Sequence, residues 1–105
     1  MKTDFELNIK ENREIKILQI TDLQPVDSSQ QRYEGRLNCP IIDEYPEENL
    51  YKEILFYIDK LIKDNNPDLI IVTGDIVYGE FDDSGKNLLK VSKYIDSFGI
   101  PWAPV

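Results

Sequence analysis

The segment "PDLIIVTGDIVYG", residues 67–79, is the stretch that most strongly predicts the fold of this chain. Its residues 69–72 are continuously apolar, and most of them are β-branched. A short apolar run of this kind is typical of a parallel strand that is covered on both faces. Gly74 and Asp75 follow the run, so the strand is expected to present a carboxylate at its carboxyl end.

A second segment, "KILQITDLQP" at residues 16–25, repeats this pattern. Residues 15–20 predict a strand, and their apolar side chains occupy both sets of alternating positions, which indicates burial in the interior of a sheet. Asp22 and Gln24 follow the strand. Two polar side chains with oxygen atoms are therefore expected near its carboxyl end.

Further elements surround these two strands. Alternating apolar and polar residues predict an earlier strand at residues 5–9, joined to the next by a hairpin turn at residues 10–13. Apolar residues at helical spacing predict a helix at residues 47–65 and another at residues 84–98. The inward side chains are expected to be Leu50, Ile54, Tyr57, Ile58, Leu61 and Ile62 in the first helix, and Leu88, Val91, Ile95 and Phe98 in the second.

The order of these elements predicts the fold class. "PWAPV", residues 101–105, begins a last strand, which gives the order β-β-loop-α-β-α-β. Strands that alternate with helices in this way imply right-handed crossovers and a largely parallel sheet. The sequence therefore predicts an α/β fold built from parallel βαβ units with flanking helices, within a single domain.

Composition and charge limit the kinds of function. With 20 acidic against 12 basic residues, the net charge of −8 disfavours nucleic acids and anionic membranes as partners and suits cations. The chain has no histidine, which excludes a Ser-His-Asp triad built from these residues alone. Cys39 is the single cysteine, and no apolar run is long enough to span a bilayer. These features indicate a reducing, cytoplasmic setting.

The two strand ends define a candidate site. In open α/β sheets, ligands bind beyond the carboxyl ends of the strands. Asp22 and Asp75 at neighbouring strand ends would meet one cation, or bridge two cations about 3.5–4 Å apart. Gln24 would add a neutral oxygen ligand, and Gly74 would let the backbone turn sharply. The alternative is that both acids serve only as turn formers.

The motif "KILQITDLQ", followed by "PDLIIVTGDIVYG" and the ending "FGIPWAPV", resembles the opening half of the calcineurin-like metallophosphoesterases. The resemblance covers residues 15–105. The family pattern is D-x-H, then G-D, then G-N-H-[DE]. The resemblance implies a four-layer αββα sandwich in which Asp22 binds the first metal and Asp75 bridges both metals. Gln24 stands where the family usually has a histidine.

This resemblance also implies an activity and its cofactors. The family hydrolyses phosphate esters by in-line attack of a metal-activated hydroxide, with two divalent ions (Mn, Fe, Mg or Zn) in each complete site. An amide oxygen at Gln24 would favour the harder cations over zinc. In the long loop predicted at residues 23–46, Arg32 and Arg36 are expected to be solvated or paired with nearby acids, and the alternative is that they reach a substrate phosphate.

The 105 residues stop where the family motif G-N-H-[DE] is expected. We therefore expect residues 1–105 to be the N-terminal part of a phosphoesterase domain, with little or no activity by itself. A non-catalytic binding module that keeps the fold is the alternative. An uncovered sheet edge would recruit a partner, and a homodimer is expected for this reason.

Overall fold

The computed structural model describes residues 6–9, 12–25, 47–77 and 84–105, with side chains of the first helix described from residue 52 onward. This part of the chain alternates strands with helices. The elements are β1 (Ile17–Thr21), α1 (Glu47–Asn65), β2 (Leu69–Thr73), α2 (Lys86–Asp96) and β3 (Trp102–Pro104). The helix predicted at residues 47–65 is confirmed, and the other elements begin or end within a few residues of their predicted limits.

The described strands form one parallel sheet with β2 in the centre. On one side Ile17 pairs with Leu69, and the register continues to the pair of Thr21 with Thr73. On the other side β3 joins β2, where Trp102 pairs with Ile70. The prediction of an α/β fold with parallel βαβ units is thereby confirmed. The four-layer sandwich remains a prediction, because the described residues contain this single sheet.

The core lies on one face of the sheet. Alternate residues of the strands point to this face and meet apolar residues of both helices. The buried cluster consists of Ile20, Leu23, Ile58, Ile62, Ile70, Val72, Val91 and Ile95. Successive βαβ crossovers of the same hand, taken in the same direction along a sheet, place their helices on the same side, which explains why α1 and α2 share one core.

The opposite face of the sheet is open among the described residues. Ile15 and Ile17 are 58% and 56% exposed, and Val105 is 79% exposed. Leu69 and Ile71 of β2 are only partly buried on this face. The prediction that residues 15–20 are buried on both faces is therefore wrong, and so is full coverage of both faces of β2. Both helices occupy the other side.

The helices bury narrower stripes than their apolar spacing predicts. Tyr57, Leu61 and Leu88 were all expected to face inward, yet they are 54%, 42% and 43% exposed. In α2 the buried side chains include Asn87 beside Val91 and Ile95. A three-stranded sheet offers only a narrow surface, so the flanks of each apolar stripe extend beyond it.

The strand predicted at residues 5–9 is also wrong for its described residues 6–9, which adopt no regular structure. Leu7 and Ile9 instead line a shallow cavity with Pro101, at the amino-terminal edge of the sheet. An isolated hairpin is marginally stable in water, so alternation over a few residues is a weak determinant of strand pairing.

Arg13 and Asp68 connect the segment before β1 to the start of β2. The Arg13 guanidinium donates from Nη1 to Oδ2 of Asp68 at 2.8 Å and from Nη2 to Oδ1 at 2.6 Å. The backbone N–H of Lys16 donates to the same carboxylate at 2.8 Å. Mainly through the Arg13 bonds and then the Lys16 bond, these contacts lower the pKa of Asp68 from 3.8 to about 2.

These contacts of the Asp68 carboxylate predict that the free energy of unfolding depends on pH. A carboxyl group whose pKa is lower in the folded state stabilises the fold above its unfolded pKa, and this contribution disappears as the pH falls toward the folded pKa. We expect Asp68→Asn to lower the free energy of unfolding at neutral pH, and the difference from wild type to vanish between about pH 4 and pH 2. Urea titrations at several pH values measure this; a pH-independent difference would contradict it.

Candidate metal centre

Asp22 and Asp75 lie side by side at the carboxyl edge of the sheet. Each follows the end of its strand, and the last residues of these strands, Thr21 and Thr73, are register partners. The two chains stay paired beyond the strands: the Asp22 N–H donates to Thr73 O at 3.1 Å, and the Gln24 N–H donates to Asp75 O at 3.3 Å. The expectation that both acids share one edge is met.

Hydrogen bonds connect the side chains of this site. The Asp75 N–H donates to Asp22 Oδ1 at 3.4 Å, and the Thr21 hydroxyl donates to Asp22 Oδ2. The Gln24 amide Nε2 donates to Asp75 Oδ2 at 3.3 Å. Because Nε2 is the atom that faces Asp75, the amide of Gln24 would have to rotate before Oε1 could serve as a ligand.

The backbone turns sharply at the site. Asp22, Gln24 and Gly74 have φ values of 53°, 39° and 70°, all in the left-handed region. Left-handed residues other than glycine are strained and cluster at functional sites. The backbone from Asp22 to Gln24 is therefore not extended, and Gln24 approaches Asp75 through these turns. The sharp turn predicted at Gly74 is confirmed.

Gly74 also forms a cradle for a carboxylate. A Cβ atom on this residue would lie 2.8 Å from both carboxylate oxygens of Asp22. The Asp22 side chain therefore occupies the space that a larger residue at position 74 would fill. The sequence suggested the need for a turn at this glycine, but it did not indicate this close approach.

The electrostatics of the site favour an ionised Asp22. Its carboxylate is exposed to solvent, and its pKa is lowered from 3.8, first by the hydrogen bond from Thr21 and then by the bond from the Asp75 N–H. Partial desolvation acts in the opposite direction. An ionised carboxylate is the form that binds a cation, so this environment is compatible with Asp22 as a candidate ligand.

The donor set fits a hard divalent cation. The atoms of two carboxylates and one amide that can serve as metal ligands are all oxygens, and oxygen ligands are the ones that Mg²⁺ and Mn²⁺ prefer. Within residues 6–9, 12–25, 47–77 and 84–105, no group of three or more His, Cys, Asp or Glu side chains is arranged around a metal position. Among the described residues, the candidate ligands are therefore the two carboxylates and the amide. Arg32 and Arg36 lie outside the described residues.

Comparison with known proteins gives one match. The family model described as calcineurin-like phosphoesterase matches residues 15–105. No curated protein and no solved structure matches the chain. Neither described helix combines the length and the apolar character that a bilayer crossing requires. The matched region includes both strand ends and all three candidate ligands.

Proposed function

Because the chain belongs to the calcineurin-like phosphoesterase family, we propose that Asp22, Gln24 and Asp75 hold a divalent cation for the hydrolysis of a phosphate ester. The observation that carries this proposal is the pairing of Asp22 and Asp75, joined by a hydrogen bond at one edge of the sheet. The family supports a phosphoesterase-type function and the general use of divalent metals.

The proposed roles follow from the placement of each side chain. Asp22, held ionised, would bind the first cation, and Asp75 would be the ligand that both cations share. The Gln24 amide would add a neutral oxygen ligand from the same edge once its Oε1 turns toward the cation. Bound divalent cations of the class Mn, Fe, Mg or Zn supply water activation and neutralise charge that develops on the phosphoryl group.

The substrate side of the site is proposed from the sequence. Arg32 and Arg36 bind the phosphate group through charge-assisted hydrogen bonds. The acidic composition, with a net charge of −8, favours a small phosphate ester over a nucleic-acid backbone. A cytoplasmic location and a complete site of two metals belong to the same proposal.

The direct test is binding of Mn²⁺ to the 105-residue chain. We expect Mn²⁺ to broaden the amide NMR signals around residues 22–24 and 74–76, because a paramagnetic ion relaxes nearby nuclei. Asp75→Asn removes one of two carboxylate ligands and is expected to weaken binding by about tenfold or more. Asp64→Asn is the matched control, because Asp64 is an exposed acid of α1 that pairs with Lys60.

Two outcomes would contradict the proposal. One is that the broadening spreads over the acidic surface and leaves the strand ends unaffected. The other is that Asp75→Asn and Asp64→Asn bind Mn²⁺ as strongly as the wild type does. Either result would mean that Asp22 and Asp75 act as turn formers.

A further inference from the structure

We propose that Thr21 is a positioning residue of this metal site, whose hydroxyl holds the Asp22 carboxylate in the orientation that binds a cation together with Asp75. The inference rests on the proposed function of Asp22 as a ligand. It assigns a role to a side chain that the sequence alone did not single out.

The two oxygens of the Asp22 carboxylate accept hydrogen bonds from different donors. The Thr21 hydroxyl donates to Oδ2, and the Asp75 N–H donates to Oδ1 at 3.4 Å. Each carboxylate oxygen therefore has its own donor, one from β1 and one from the chain after β2. Rotation of the carboxylate would break both hydrogen bonds, so the pair of donors fixes its plane.

This arrangement of donors leaves room for a ligand on the Asp22 carboxylate. An ionised carboxylate has about four lone-pair sites on its two oxygens. The two hydrogen bonds use one site on each oxygen, and the carboxylate remains exposed to solvent. The cradle at Gly74 closes one side, because a Cβ there would lie 2.8 Å from both oxygens. Free lone pairs on the open side are available to a cation.

The neighbouring strand β2 offers an internal comparison. Thr73 is the register partner of Thr21 and comes two residues before Asp75, yet its hydroxyl accepts a hydrogen bond from Gln19 Nε2 at 3.2 Å. Two threonines at the same level of the sheet thus have different partners. Of these two hydroxyls, it is that of Thr21 that bonds to a proposed ligand.

The test compares three variants by Mn²⁺ titration of the 105-residue chain. Thr21→Val keeps a β-branched side chain of similar shape and removes the hydroxyl; we expect about tenfold weaker binding, as for other partners of metal ligands. Thr21→Ser keeps the hydroxyl and is expected to bind like the wild type. Thr73→Val removes the other hydroxyl and is expected to leave binding unchanged. Urea unfolding without metal, measured in parallel, identifies any loss of folded protein.

The outcomes separate this inference from the proposed function. Wild-type binding at the strand ends with equal binding by Thr21→Val would overturn the role of Thr21 and leave Asp22 and Asp75 as ligands. Weak binding by Thr21→Ser would overturn it too, because the hydroxyl would then not be the determinant. A wild-type chain that does not bind Mn²⁺ would overturn the proposed function, and this inference with it.

Discussion

Gly74→Ala is expected to destabilise the fold and to abolish most of the cation binding at the strand ends. A left-handed backbone costs an L-residue about 1–2 kcal/mol, and Gly74 has a φ of 70°. The new methyl group would also lie 2.8 Å from both oxygens of Asp22. The carboxylate must move away, which separates it from the Asp75 N–H.

Gly99→Ala is the matched control for this substitution. Gly99 has a φ of 68°, so it carries nearly the same backbone cost. A Cβ atom on Gly99 would meet no atom within 4 Å. In urea titrations we expect Gly74→Ala to lower the free energy of unfolding more than Gly99→Ala does. In Mn²⁺ titrations only Gly74→Ala should weaken binding, by about tenfold or more.

Equal losses of stability in the two glycine variants would contradict this account. They would show that backbone conformation alone limits position 74 and that the Asp22 carboxylate does not rest against it. Unchanged Mn²⁺ binding by Gly74→Ala would show, separately, that the cradle does not set the position of the ligand.

Much of the fold could be predicted from local pattern, since the decisive signals are short and strong. The apolar run before Gly74 identifies β2, and the helical spacing ahead of Pro67 identifies α1. The exposure of Ile17 could not be predicted in this way. Its apolar character is visible in the sequence, but its exposure depends on which side of the sheet both helices take, and that is a property of the whole topology.

The geometry of the site likewise could be predicted from the sequence only in part. The common edge of Asp22 and Asp75 follows from parallel strands, whose carboxyl ends lie together. The contact between the Thr21 hydroxyl and Asp22, and the left-handed backbone at Asp22 and Gln24, could not be predicted. They depend on how the chain turns after β1, and asparagine or aspartate turns of many kinds share the same sequence signals.

Ile70→Ala is expected to lower the free energy of unfolding more than Gly74→Ala or Asp68→Asn does. Ile70 is fully buried in the central strand, where it pairs with Leu18 on one side and Trp102 on the other. Truncation of a buried isoleucine to alanine costs about 2–5 kcal/mol through lost burial and the cavity that remains. Since a domain of this size is stable by only about 5–15 kcal/mol, urea unfolding should show the effect clearly.

Ile17→Ala is the matched control, since it makes the same change on the open face of the same sheet. Ile17 is 56% exposed, so its truncation should cost about 1 kcal/mol or less. A loss as large as that of Ile70→Ala would mean that this face is covered in solution. If that loss also depends on protein concentration, a second copy provides the cover, as expected for the homodimer; if it does not, another part of the same chain provides it.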